Sequence, residues 1–227
     1  MVVHLQKEIE KLKKNILYLA AVVEENVRRA VRSIETRDSK LAEKVIEVDL
    51  EIDRREVWIE EDCLKILALH QPVAIDLRFI TAVLKLNNDL ERIGDLAVNI
   101  AERSIYLSST ERTDATFDYR PMIQKTEAML NESLNALVNM NPQLARKVCE
   151  ADDDVDEMER RIVAHAEEAI RKNPEQADRL LHHMFVARHL ERIADHATNI
   201  AEDVIYMVEG EIVRHGIKIR DGRQEPR

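Results

Sequence analysis

Apolar residues recur along this chain at alternating three- and four-residue intervals, the spacing that draws one apolar stripe along an α-helix. Prolines punctuate the pattern: Pro72, Pro121, Pro142 and Pro174 each fall where one periodic run ends and the next begins. At two of them asparagine precedes the proline, Asn141-Pro142 and Asn173-Pro174, which reads as an N-cap followed by a first-turn proline. The pattern predicts six helices, over about 4–36, 38–70, 74–108, 119–139, 142–172 and 175–212. At 1.5 Å per residue the longest reaches about 50 Å. The polar stretch "SSTERTDATFD" separates the first three helices from the last three.

The chain also repeats itself. "LERIGDLAVNIAERSIY" (Leu90–Tyr106) returns as "LERIADHATNIAEDVIY" (Leu190–Tyr206), with 12 of 17 positions identical. "LAEKVIEVDLEID" (Leu41–Asp53) returns as "LARKVCEADDDVD" (Leu144–Asp156) at an offset of 103. Each copy is one three-helix unit whose amphipathic helices bury their stripes against one another. The expected fold is therefore all-α: six long helices forming two tandem three-helix bundles, residues 1–110 and 117–215, with 216–227 as a flexible tail.

What the repeat preserves most conspicuously is acid. At 100° per residue Glu91, Asp95, Asn99 and Glu102 share an arc of about 80°, with Leu86, Leu90, Ile93, Ala97 and Ile100 opposite, so the acids are expected to face outward. Asp49, Asp53 and Glu56 share a face of the second helix, and Asp152, Asp156 and Glu159 repeat it. Positions 53 and 91, and likewise 49 and 95, are equidistant from Pro72. An antiparallel hairpin about that joint gathers Asp49, Asp53, Glu91 and Asp95. The Asn173-Pro174 joint does the same for Asp152, Asp156, Glu191 and Asp195. Carboxylates about 6 Å apart repel by roughly 3 kcal/mol at an effective dielectric near 20, so something must offset them. The neighbouring Arg54, Arg92, Arg160 and Arg192 are one answer; a hard cation such as Mg²⁺, Ca²⁺, Mn²⁺ or iron is the other. The repetition of the spacing favours the cation, with Glu56, Asn99, Glu102, Glu159, Asn199 and Glu202 as further candidate ligands.

Composition narrows the class. In 227 residues there are four Gly and five Pro, with 34% charged, which suits helix over sheet. The net charge of −10 argues against nucleic acid as a partner. No signal-like segment opens the chain, and the longest apolar run, residues 16–23, is too short to span a bilayer, so a cytoplasmic protein is expected. Cys63 and Cys149 are isolated and read as free thiols. His182, His189 and His196 recur every seven residues, followed at the same stride by Asp203; the row could form a second ligand seam, but its arc lies beside the apolar stripe and favours a boundary or interface role. A di-iron oxidase needs Glu-x-x-His pairs, and no Glu here has His three residues later. A metal-free helical scaffold remains the alternative to a cation-binding protein.

"HQPVAIDLRFI" (His70–Ile80), "DLERIGDLAVNIAE" (Asp89–Glu102) and "HLERIADHATNIAEDVIYMVEGEIVRH" (His189–His215) resemble the signatures of the PhoU family of phosphate-uptake regulators. The resemblance covers essentially the whole chain. It implies a homodimeric, non-enzymatic negative regulator of phosphate uptake and of the phosphate-starvation response. Its implied partners are the ATP-binding subunit of a phosphate ABC transporter and a phosphate-sensing histidine kinase at the inner face of the membrane. It also implies that the acid motifs Asp49/Asp53, Glu91/Asp95, Asp152/Asp156 and Glu191/Asp195 hold metal, in some members as multinuclear iron or zinc clusters. One departure is internal: Asp89 and Leu96 stand where the second copy has His189 and His196.

Overall fold

In a computed structural model, which describes residues 2–210, 213–214, 217–220 and 223–225, the helices are α1 (Val2–Thr36), α2 (Ser39–His70), α3 (Ala74–Ser109), α4 (Arg120–Asn139), α5 (Pro142–Glu150), α6 (Asp152–Lys172) and α7 (Ala177–Glu209). Local chemistry sets the boundaries. Asp38 caps α2 by accepting from the backbone N–H groups of Lys40 and Leu41. Gln71 ends α2 in the left-handed conformation immediately before Pro72. Asn141 caps α5 ahead of Pro142, as the sequence predicts.

Three expectations need correction. The helix expected over 142–172 is interrupted at Ala151, whose N–H tightens onto the Val148 carbonyl, and restarts with Asp152, Asp153 and Asp154 in its first turn. Three carboxylates at the positive end of a helix dipole favour that restart. The last helix is preceded by a short 3₁₀ turn, Pro174–Gln176, and stops at Glu209, where Gly210 takes a φ of 73°. Within the segment expected as a tail, Ile217–Arg220 (β2) and Arg223–Glu225 (β3) pair antiparallel, and Val213–Arg214 (β1) pairs with β2. Alternation of Ile and charge ahead of Asp221-Gly222 is a hairpin signal in the sequence. Residues 216, 221, 222, 226 and 227 of that segment lie outside the described residues.

Helices α1, α2 and α3 pack on one another, α4 to α7 likewise, and α3 lies against α7. One continuous core runs through both bundles, from Leu12, Ile16 and Leu19 through Ile52, Leu86 and Ile93 to Met129, Val186 and Ile193. Contacts along the seam fall on α7 as they rise on α3, from Lys85 with Asp203 to Tyr106 with His182, so the two duplicated helices cross antiparallel. Among the described residues no helix is long and apolar enough to cross a membrane.

Candidate metal centres

The α2–α3 hairpin brings Asp49, Asp53, Glu91 and Asp95 into mutual electrostatic reach, as the spacing about Pro72 predicts. They do not simply face outward: Asp49, Glu91 and Asp95 are half-buried, and only Asp53 of the four is exposed. The cause is close helix approach at Gly94. A Cβ there would stand 3.1 Å from Asp49 Oδ1 and 3.3 Å from the Ile52 side chain, so glycine lets α3 close over the Asp49 carboxylate. Asp49 Oδ1 is buried with no hydrogen-bond partner. Burial, then Asp53, Asp95 and Glu91, push its carboxyl up to about 6. Glu91 is raised by burial and Asp95, with Arg92 pulling the other way and Glu56 and Asp53 adding to the rise. Arg92 sits 3.4 Å from Glu91 and 3.1 Å from Asp95.

The second bundle gathers Asp152 and Asp156 from α6 with Glu191 and Asp195 from α7. Asp156, Glu191 and Asp195 can each offer one oxygen within 4.8 Å of the others. At that distance a pair of charges repels by roughly 3 kcal/mol. Burial first, then Asp195, Asp156, Glu159 and Asp152, push Glu191 up to about 7. Asp152 is raised by burial and, more weakly, by Asp195 and Asp156, but Thr198 Oγ1 donates to it at 3.1 Å and opposes the rise. Asp195 is raised by burial and Asp156, while His196 and Arg192 draw it down.

Of the further candidates, Glu56 and Glu159 belong to the patches, since each raises its neighbouring Glu91 or Glu191. Asn87 Nδ2 holds Glu56 at 3.2 Å, and Arg188 Nε lies 3.7 Å from Glu159. Asn99 continues α3 one turn past Asp95 and is half-buried. Glu102 is exposed beside Arg103 at 3.4 Å. Asn199 is turned the other way, donating to Asp89 at 3.4 Å across the seam. Glu202 acts on the Cys149 thiol of α5, which burial pushes up to about 11.

The histidine row lies on the seam and not at the patches. His196 Nδ1 is 2.7 Å from Asp89 Oδ1, and because a carboxylate only accepts, that nitrogen carries the proton. His182 stacks on Tyr106 with ring centroids 3.7 Å apart. Burial, with Arg103 and Arg192, pushes His189 down to about 4. Asp203 pairs with Lys85 at 2.9 Å. Sequence reasoning missed Asp89 and Lys85, whose partners lie in the other repeat; the internal departure at Asp89 was the available signal.

The donor set fits a hard cation. It is all oxygen, it includes an orphaned buried oxygen at Asp49, and the raised carboxyls of Asp49 and Glu191 mark ionised forms that their surroundings disfavour. Nothing in that donor chemistry selects one metal among Mg²⁺, Ca²⁺, Mn²⁺, iron or zinc.

A family model described as the PhoU domain matches residues 2–104 and 119–204, which is to say both repeats. The phosphate-specific transport system accessory protein PhoU homolog 1 of Thermotoga maritima is 36% identical over 217 residues, covering 95% of this chain and 94% of that protein. The PhoU homolog of Aquifex aeolicus is 41% identical over 209 residues, covering 92% and 95%. The crystal structure of PhoU from Pseudomonas aeruginosa superposes with a TM-score of 0.88 at 36% identity, over 90% of this chain and 99% of that one. Matched along both repeats in sequence and in fold, this chain belongs to the PhoU family.

Proposed function

We propose that this protein is a negative regulator of phosphate uptake and of the phosphate-starvation response. It acts by binding and not by catalysis, as a metal-binding adaptor between the ATP-binding subunit of a phosphate ABC transporter and a phosphate-sensing histidine kinase. It works as a homodimer in the cytoplasm, held at the inner face of the membrane through those partners. The observation that carries the reading is the doubled carboxylate patch, with Asp49, Glu91, Asp152 and Glu191 half-buried and raised in pKa. Relatives named as accessory proteins of the phosphate-specific transport system supply the setting.

Asp49, Asp53, Glu91 and Asp95 would hold one cation centre and Asp152, Asp156, Glu191 and Asp195 the other, with Glu56 and Glu159 at their margins. A bound cation supplies positive charge that cancels the mutual repulsion of the acids. The carboxylates then tie α2 to α3 and α6 to α7, stiffening each hairpin and fixing the charge that each bundle offers its partner. Arg92, bridging Glu91 and Asp95, favours a second reading for the first bundle alone, a metal-free patch neutralised from within.

In a host lacking its own copy, the wild-type chain is expected to restore repression of a phosphate-starvation reporter at high phosphate. The variant E91Q/D95N/E191Q/D195N is expected to leave the reporter on although it folds. Failure of the wild type to repress would sink the regulatory reading; full repression by the variant would remove metal from it.

A further inference from the structure

A row of large apolar side chains stands in solvent on α2. Leu50 is 61% exposed, Val57 48% and Leu64 54%, one above another at seven-residue steps, with Trp58, 60% exposed, about 100° further round the helix and Leu69, 66% exposed, on the Trp58 side at the helix end. From Leu50 to Leu64 the row runs roughly 21 Å. Single exposed apolar residues need no explanation, but a continuous row does.

The second repeat supplies an internal control. At the offset of 103 that relates α2 to α6, the counterparts of Leu50, Val57, Trp58, Leu64 and Leu69 are Asp153, Arg160, Arg161, Glu167 and Lys172, all charged and exposed. The same offset pairs buried Ile52 with buried Val155 and buried Cys63 with buried Ala166, so the registers agree while the outer faces differ. An exposed face of this fold therefore does not call for apolar residues; the first bundle has them for another reason.

Charge says what covers the row. One edge of it is the acidic flank of α2, with Asp53 and Glu60 beside Asp49 and Glu56. Asp49, Asp53, Glu56 and Glu60 follow one another at three- and four-residue steps, so the flank is a continuous acidic strip. Arg54, Glu61 and Lys65, between the row and Trp58, alternate in sign. A second copy pairing antiparallel across this row would lay the same acidic flank against itself, like charge on like. An anionic lipid surface is disfavoured on the same ground.

We propose that this face of α2 is a docking site for an amphipathic helix of a partner protein whose apolar ridge carries lysine and arginine along one edge. The inference rests on the adaptor reading given above and assigns partner contact to the first bundle, through α2, without calling on the second bundle's metal centre. An apolar ridge on the partner seats against Leu50, Val57 and Leu64 and folds Trp58 over its side, while the basic edge lies along Asp53 and Glu60.

Trp58 is the sole tryptophan of the chain, so its emission reports on this face alone. The probe is a synthetic helical peptide of about 20 residues with leucine at three- and four-residue spacing and lysine along one edge, titrated into the full chain beside a twin whose edge is glutamate. Saturable blue-shifted emission is expected with the lysine-edged peptide, and binding about tenfold or more weaker with its twin. The variant L50S/L64S, both sites being exposed, should melt like wild type and lose about tenfold or more in peptide affinity. E191Q/D195N, which removes acids only from the second bundle, should bind the peptide as wild type does. A peptide that fails to bind, that binds L50S/L64S or its glutamate twin equally, or a blue shift that grows with protein concentration alone, would overturn the proposal. Loss of the second bundle's share of bound metal in E191Q/D195N, with peptide binding intact, separates this inference from the metal reading.

Discussion

Replacing His196 by leucine, the residue that the first repeat carries at the equivalent Leu96, is expected to destabilise the protein by about 3 kcal/mol. The His196 and Asp89 side chains are 17% and 11% exposed, and their bond of 2.7 Å joins α7 to α3 in the middle of the seam between the bundles. Removing the donor leaves a largely buried carboxylate with a weaker hold from Asn199 at 3.4 Å. Loss of one partner of a buried pair costs about 3–5 kcal/mol, and the remaining Asn199 contact places this case at the lower end. For a chain of this size about 3 kcal/mol corresponds to a fall in Tm of about 6–12 °C. The double variant D89L/H196L should recover most of that loss, because an apolar pair leaves no charge stranded. A single variant that melts with wild type would show that the pair adds nothing to the seam.

The second large effect is a response to pH that a divalent cation reverses. Folding raises the Asp49 carboxyl from 3.8 to about 6 and that of Glu191 from 4.5 to about 7. A group raised in the folded state lends stability below its unfolded value and loses it as pH climbs through the folded one. The metal-free protein should therefore melt progressively lower between about pH 4 and pH 7, by an amount of order 1–3 kcal/mol after allowance for solvent screening. A cation binds only the deprotonated acids, so its benefit should be slight near pH 5 and full near pH 8. At one hundred times its Kd it is worth about 2.7 kcal/mol, or about 5–11 °C in Tm. In E91Q/D95N/E191Q/D195N both the fall with pH and the rescue should shrink. An equal rise in Tm with metal at pH 5 and pH 8, or the same rise in the variant, would contradict the assignment.

Much of this arrangement is legible in the chain itself. Proline and N-cap signals place the helix joints, and counting outward from Pro72 finds which carboxylates come level, because an antiparallel hairpin maps sequence distance directly onto height. The depth of those carboxylates is not legible: it depends on how closely α2 approaches α3, which Gly94 permits and which a helical wheel of α3 alone does not contain. The break at Ala151 escapes a periodicity argument because the apolar spacing continues through it, and only the run of three aspartates hints at a restart. The seam is hidden for a different reason. Asp89, Lys85, His182 and His196 find their partners across the junction of the repeats, a hundred residues away, where no local pattern records the pairing. Self-comparison of the repeats recovers part of it, since positions that break the internal likeness, Asp89 against His189 and Leu96 against His196, lie on that seam. The same comparison exposes the apolar row of α2, which hydropathy alone would assign to the core.

If the repeated acids are ligands, bound metal should follow them. Elemental analysis of protein purified without chelator, and without a tag that carries metal, tests it most directly when run beside E91Q/D95N/E191Q/D195N. Metal is expected on the wild-type chain and is expected to be lost from the variant. No metal in the wild type, or the same content in both, would contradict it and leave the two patches as acidic surface.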